Sequence, residues 1–422
     1  MTMTRDTEAA GPAGGAGACR ACGAEALRPI VSLGVMSLAN SYLKPEDLGR
    51  PEPRYPLDLV RCERCALVQI TEVVPPEVLF RDYLYFSSYS ATMLAHAEAV
   101  ATRMIAERGL GPGSLVVEVA SNDGYLLQFY RRAGVPVLGI EPARNVAEVA
   151  ERERGIRTLC EFFGESLAAA LAARGERADV IHANNVLAHV ADLGGFVAGF
   201  RALVKDEGVV VCESPYIKPF LEQVEFDTIY HEHLYYYSLT ALDRLFRRHG
   251  LLIVDCEPVA IHGGSLRIFA RRAEGAEVGP RVRALLAEEA AWGVDEARPY
   301  AEFAGRVERT IGEVKTLVRK LRAEGHRVCA YGAAAKGTVL LNACGLGPED
   351  VGFVCDRSPH KQGRLMPGVH IPIVAPERLL EEQPEYCLLL VWNIAEEVMA
   401  QQAEYRRRGG RFIVPIPSPR VV

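Results

Sequence analysis

Short apolar runs alternating with helical patterns organise most of the chain. Residues 115–119, 136–140 and 178–181 read as strands, and 125–132 and 145–154, placed between and after the first two, read as helices. Runs of about five apolar residues separated in this way predict βαβ units and a parallel sheet. Residues 208–212 and the β-rich stretch 251–272 extend it. After Gly279 the period changes: Phe303, Val307, Ile311, Val314, Val318 and Leu321 recur at spacings of three and four, the packing stripe of one long helix. A second α/β unit opens with a strand at 327–331, turns through Gly332, Lys336 and Gly337 into a helix, and continues with strands at 351–354, 387–391 and 411–414.

The first part of the chain is built differently. From Cys19 to about Pro76 it is interrupted by prolines, short-stranded and too poor in apolar residues to fold unaided. Cys19 and Cys22, then Cys62 and Cys65, form two CxxC pairs. Two such turns supply four thiolates to one tetrahedral ion and leave no open position, so a structural zinc is expected, its binding providing the missing folding free energy. A redox dithiol needs one CxxC, not two, and zinc is preferred over it and over disulfide staples. The other seven of the 11 cysteines are scattered singly, as buried thiols of a reducing cytoplasm would be. The layout expected is α/β throughout: a tail at 1–18 without the apolar core of a secretory signal, a zinc module at 19–80, a Rossmann-like central domain at 81–300 and a second Rossmann-like domain at 301–422. The net charge of -6 lacks the basic footprint of a nucleic-acid binder, and no apolar run could span a bilayer. A soluble cytoplasmic protein is expected, monomeric or weakly oligomeric, with no nucleic-acid or membrane partner.

Candidate chemistry gathers at the carboxyl ends of the expected strands, where open parallel sheets bind ligands. The first central strand runs into Glu118, Asn122, Asp123 and Gly124, and Glu141 closes the next, placed for ribose hydroxyls. A nucleoside cofactor is implied. Dinucleotide sites use the spaced glycines of GxGxxG, and only Gly124 is present, which disfavours a nicotinamide oxidoreductase or epimerase. Asp123 repels a diphosphate and suits a cation such as the sulfonium of S-adenosylmethionine. Asn184, Asn185 and His189 follow the third strand. The asparagines also suit helix caps, and His189 fits a packed helical histidine as well as a functional one. Tyr230, His231, Glu232 and His233, flanked by Asp227 and tyrosines 235–237, are the densest cluster, combining a base near neutral pH, a carboxylate and phenolic donors. Their spacing is not that of an HExxH zinc helix. The aromatic and hydroxyl residues of 83–93 have the mixed polarity of a pocket lining. His262 with Gly263 and Gly264 suits close backbone approach to a ligand or, equally, a strand bulge. Lys336 between Gly332 and Gly337 suits the phosphates of a sugar nucleotide at a helix start, preferred here over plain strand–helix packing, although no Walker A is present.

Taken in order, these motifs resemble the three-domain C-methyltransferases of deoxysugar biosynthesis, from about Cys19 to the C terminus. The resemblance implies a class I methyltransferase domain between a zinc module and a Rossmann-like domain, enclosing a nucleotide-linked 4-keto sugar, commonly a thymidine diphosphate sugar. It implies His233 as the base, with Tyr230, Glu232, Tyr85 and His189 beside it. Glu118, Asn122, Asp123, Gly124, Glu141, Phe162 and Asn184 would hold the cofactor, and Ser88, Asn185, His262 and Lys336 the substrate. His231 departs from the family's Asp at that position. O- or N-methyl transfer from the same cofactor site, and a non-enzymatic zinc scaffold, are the alternatives.

Overall fold

The computed structural model describes residues 17–75, 79, 87–261 and 263–422. Most of the expected tail, Tyr85 and His262 lie outside the described residues. Strands β1 (Leu27–Ser37), β2 (Arg54–Cys62) and β3 (Val68–Ile70) form an antiparallel meander. The first two are longer than the short strands expected. Register shifts after Pro29 and Ser32 carry the β1–β2 ladder past the residues that would otherwise end it. The two CxxC turns share one shape: the amides of Gly23 and Ala66 donate to the carbonyls of Cys19 and Cys62, and both residues sit at left-handed φ, 71° and 61°. All four sulfurs fall within 4.8 Å of one another. Cys19 Sγ to Cys65 Sγ and Cys22 Sγ to Cys62 Sγ are each 3.5 Å. That is far longer than a disulfide, about 2.05 Å, and close to the ~3.8 Å edge of a tetrahedron with Zn–S near 2.3 Å. The four thiolates fit a structural zinc.

The central domain is a seven-stranded sheet. Its strands are β4 (Val116–Val119), β5 (Val137–Ile140), β6 (Thr158–Leu159), β7 (Ala178–Asn184), β8 (Val204–Pro215), β10 (Leu251–Val259) and β11 (Ser265–Arg272), with a two-residue strand β9 (Tyr235–Tyr236) set apart from them. The order β10-β11-β8-β7-β4-β5-β6 is parallel from β8 to β6, with β11 antiparallel to β8. Strands covered by helices on both faces read as unbroken apolar runs, and Val116, Val117 and Val119 of β4 are all buried. β4 leads to β5 on one side while β7 pairs with it on the other, so the topology reverses between β4 and β7. Helix α1 (Ala91–Arg108) covers one face, and α2 (Glu165–Ala173) and α3 (Leu193–Leu203) pack together on the other.

Helix α4 (Pro280–Trp292) packs on β10, and α5 (Arg298–Ala323) buries Phe303, Val307, Val314, Val318 and Leu321, the apolar stripe expected. The last domain is a six-stranded sheet with strands β12 (Val328–Tyr331), β13 (Val354–Cys355), β14 (Ile373–Val374), β15 (Tyr386–Leu389), β16 (Arg411–Val414) and β17 (Arg420–Val421), in the order β14-β13-β12-β15-β16-β17. All its pairs are parallel except β16–β17. Helix α6 (Ala335–Cys344) follows β12.

β9 belongs to neither α/β sheet. It pairs with β3, Val68 opposite Tyr236 and Gln69 opposite Tyr235, so a strand of the central domain completes the sheet of the zinc module. Arg20, inside the first CxxC turn, donates to the carbonyls of Ile70 and Thr71 at 2.8 Å each, tying the cysteine cluster to β3. Zinc stripped by a chelator, or lost in Cys65→Ser, should therefore raise amide exchange at 68–70 and 235–236 roughly tenfold or more. Hydrogen-exchange mass spectrometry checks this, and unchanged protection in the zinc-free protein would refute the coupling.

Candidate active site

The turn after β4 has left-handed φ at three alternate positions: Ala120 at 54°, Asn122 at 49° and Gly124 at 77°. An L-residue there costs roughly 1–2 kcal/mol, and only Gly124 advertised the turn in the sequence. The missing glycines concealed a glycine-type turn. Neighbours hold the strain in place: Asn122 N–H donates to Glu141 Oε2 at 3.0 Å, and Asn122 Oδ1 accepts from the amide of Ser87 at 2.9 Å. At Gly124 a Cβ would lie 2.4 Å from Ile156. Ser88, expected against the substrate, instead donates a short hydrogen bond to Asp123 and closes over this turn.

Three carboxylates converge here. Glu118 and Asp123 are each 1% exposed, and Glu118 Oε2 and Asp123 Oδ1 are buried without a hydrogen-bond partner among the described residues. Burial, then the nearness of Asp123 and Glu141, hold the Glu118 carboxyl well above its usual range. Glu141 is raised by burial against the opposing amides of Ala143 and Asn122. Arg154 offsets part of this charge, 3.5 Å from Asp123. Phe162, on the loop after β6, is 57% exposed and offers a bare aromatic face. Asn184 ends β7 with its Oδ1 buried and without a hydrogen-bond partner among the described residues, and Asn185 takes a left-handed φ of 53°. Unmatched buried acceptors, a strained amide-lined turn and an exposed ring fit the cationic and aromatic parts of S-adenosylmethionine.

The Tyr230–His233 segment is a set of turns, not a strand, and it sends its side chains in different directions. Thr228 O accepts from His233 Nδ1 and from Tyr236 Oη, both at 3.1 Å. A carbonyl only accepts, so Nδ1 carries the proton, and in the neutral ring Nε2 is the lone pair that Tyr230 Oη meets at 2.8 Å. Leu234 N–H donates to Ala188 O at 2.7 Å, which seats His233 against the turn after β7. The His189 ring lies edge-on to it, 4.9 Å between centroids. Desolvation pushes His189 down to about 4, against hydrogen bonds with the backbone of Glu232 and Asn185. It is a neutral imidazole near pH 7. Glu232, 8% exposed, accepts from Asn40 Nδ2 at 2.7 Å, and burial raises it to about 7 against that bond. His231 points away, 3.2 Å from Pro56 O and edge-on to Tyr55, and fastens the segment to β2. Tyr235, Tyr236 and Tyr237 are buried.

Other motifs are taken up by packing. His182 is wholly buried against Tyr130, and burial lowers it to about 3. At Gly263 and Gly264 a Cβ would strike Glu225 Oε1 at 2.6 Å and Pro219 Cγ at 2.9 Å, so the pair admits protein neighbours at the start of β11. At Gly332 and Gly337 it would strike Val391 and Leu390. The turn between them is engaged too: Ala333 N–H donates to Asp356 at 2.7 Å, while Ala333 O accepts from Tyr42 Oη at 2.6 Å and Lys361 Nζ at 2.8 Å. Lys336 Nζ lies 2.9 Å from Asn393 Oδ1 and 5.2 Å above the Trp392 ring, and its charge partly offsets the burial that raises the Glu225 and Asp227 carboxyls. Asn40, Tyr42 and Trp392 were missed in the sequence, where a single polar or aromatic residue far from any motif carries no signal.

Residues 19–80 match a zinc binding domain family, 93–255 a methyltransferase domain and 260–417 the C-methyltransferase C-terminal domain. C-methyltransferase NovU of Streptomyces niveus is 41% identical over 405 residues, 96% of each chain. A ubiquinone biosynthesis O-methyltransferase of Methylobacterium sp. (strain 4-46) is 30% identical over only 36% of this chain and 60% of its own. Magnesium protoporphyrin IX methyltransferase from Synechocystis PCC 6803, solved with bound SAM, is 15% identical at a TM-score of 0.33 over 42% of this chain and 79% of that one.

Replacing Ala120 by Gly should relieve the left-handed strain and raise stability by roughly 0.5–1 kcal/mol after the extra chain entropy of glycine, read from urea unfolding. Glu232 binds its proton more tightly in the fold than at its usual 4.5, so the stability it contributes is complete below about pH 4.5 and lost as pH rises through about 7. Glu232→Gln should accordingly gain on the wild type in thermal midpoint between pH 5 and pH 8, and a difference independent of pH would contradict it.

Proposed function

Since the chain belongs to the C-methyltransferase family that joins a zinc-binding domain, a methyltransferase domain and a dedicated C-terminal domain, we propose that its acceptor is a carbon next to the ketone of a nucleotide-diphosphate-linked keto deoxysugar, with His233 as the base. The single observation that supports this most is the paired hydrogen bonding of His233: Nδ1 held by Thr228 O, Nε2 directed at the Tyr230 hydroxyl. An imidazole fixed in one tautomer presents a lone pair to a C–H bond, and general base catalysis contributes about 10²–10⁴-fold.

When bound, S-adenosylmethionine supplies an electrophilic methyl group, for which an enolate carbon is a suitable acceptor. Glu118, Asn122, Asp123, Gly124, Glu141, Phe162 and Asn184 would hold it. The chain's own residues act on the sugar. Nε2 of His233 takes the proton from the carbon beside the carbonyl. Tyr230 gives up its hydrogen bond to that lone pair as the sugar arrives, which frees its hydroxyl for the developing enolate oxygen. The neutral His189 is a second donor. A well-placed donor of this kind is worth roughly 2.7–4 kcal/mol. Glu232, next to His233 in the chain, is raised to about 7 and tied to Asn40.

In deuterated buffer, the wild-type enzyme given a nucleotide keto sugar should exchange deuterium into the position beside the ketone, and His233→Ala should abolish that exchange. The same substitution should lower methylation about a hundredfold or more while leaving cofactor affinity unchanged. Turnover near the wild-type rate in His233→Ala would remove His233 as the base.

A further inference from the structure

The C-terminal domain meets the turn that leads into the His233 segment. Asp227, on the single turn Phe226–Thr228, is fully buried, and its Oδ2 accepts from Trp392 Nε1 at 2.7 Å. Helix α6 lies directly against this turn. Its Lys336 sits over the Trp392 ring and holds Asn393, and its positive charge partly offsets the burial that raises the Asp227 and Glu225 carboxyls. Glu225 is 6% exposed and fits only because residue 263 has no side chain. The residue that follows Asp227 is Thr228, whose carbonyl oxygen is the acceptor for both His233 Nδ1 and Tyr236 Oη.

We propose that Trp392 and Lys336 of the C-terminal domain are positioning residues for His233, acting through Asp227 and the Thr228 carbonyl. The assignment rests on His233 being the base. A buried carboxylate that loses its N–H donor is left unsatisfied, and the turn must reorganise to meet water or another donor. Reorganisation rotates the Thr228 carbonyl away from Nδ1, releases the tautomer and moves Nε2 out of line. Docking of the last domain is in this way part of the base's geometry, not only of substrate capture. Lys336 acts in this proposal through its contacts with the Trp392 ring and Asn393.

The test uses the full-length zinc enzyme with saturating S-adenosylmethionine and a nucleotide keto sugar. Trp392→Phe keeps the ring and removes the N–H. It should lower kcat about ten- to a hundredfold with cofactor Kd and sugar KM near wild type, and the Nδ1–H signal of His233 in histidine-labelled nitrogen spectra should broaden or vanish. Asp227→Asn, which retains an acceptor for Trp392, should keep kcat within about threefold of wild type. Lys336→Gln serves if Trp392→Phe does not fold, and should likewise lower kcat rather than raise the sugar KM. Wild-type kcat in Trp392→Phe, a lowered kcat with the His233 signal unchanged, or a raised sugar KM alone in Lys336→Gln would each overturn the proposal. A fully active His233→Ala would instead remove the base assignment beneath it, so the two failures are told apart.

Discussion

Residues 225–234 carry three buried side chains, Asp227, His231 and Glu232, whose hydrogen-bond partners lie elsewhere in the chain. Glu232 is bound by Asn40 and His231 by Pro56 O, both in the zinc module, while Asp227 is bound by Trp392 in the last domain. A buried carboxylate or imidazole without a partner costs far more than a made bond contributes, so these contacts are close to obligatory once the segment is dehydrated. The segment is irregular, and its internal bonds, Tyr230 to His233 and His233 to Thr228 O, sit in turns that these outside contacts brace. Part of its order is imported from both sides, and that importation joins three domains into one site.

The zinc cluster enters through the same logic. Its four thiolates organise a sheet whose last strand, Tyr235–Tyr236, follows His233 in the chain. Arg20 links the first cysteine turn to the carbonyls of Ile70 and Thr71, and Ile70 N–H in turn donates to Leu234 O at 3.0 Å. The metal module therefore lies a few hydrogen bonds from the catalytic candidates. On the cofactor side, strain does comparable work: Ala120 and Asn122 hold a conformation glycine would adopt freely, kept there by Glu141 and the amide of Ser87.

Much of this was legible from residue order. Strands β4, β5 and β16 fall within a residue of their expected limits, because buried parallel strands are short apolar runs and need no partner to be recognised. β1 and β2 were underestimated, since their solvent-facing residues and Pro29 dilute the apolar signal and bulges repair the ladder. The two-residue β9 was invisible, as its pairing partner lies far away in the chain. Gly263 and Gly264 were left open between ligand approach and a bulge, and the neighbour that requires them is the carboxylate of Glu225.

Local chemistry decided the rest of what could be read without coordinates: paired CxxC turns suit a tetrahedral ion, an acid at the end of a second parallel strand is the candidate cofactor contact, and a run of Tyr, Glu and His is the candidate for a base with donors. Those features depend on residue type and short spacing, which the chain carries directly. Tertiary structure decided that His233 turns to Thr228 and Tyr230 while His231 turns to Pro56, that Ser88 bonds Asp123, and that Lys336 sits against Trp392 and Asn393. The reason is physical: side-chain direction in an irregular segment, and the pairing of buried charges, are set by desolvation against groups hundreds of positions away, and no local pattern records them.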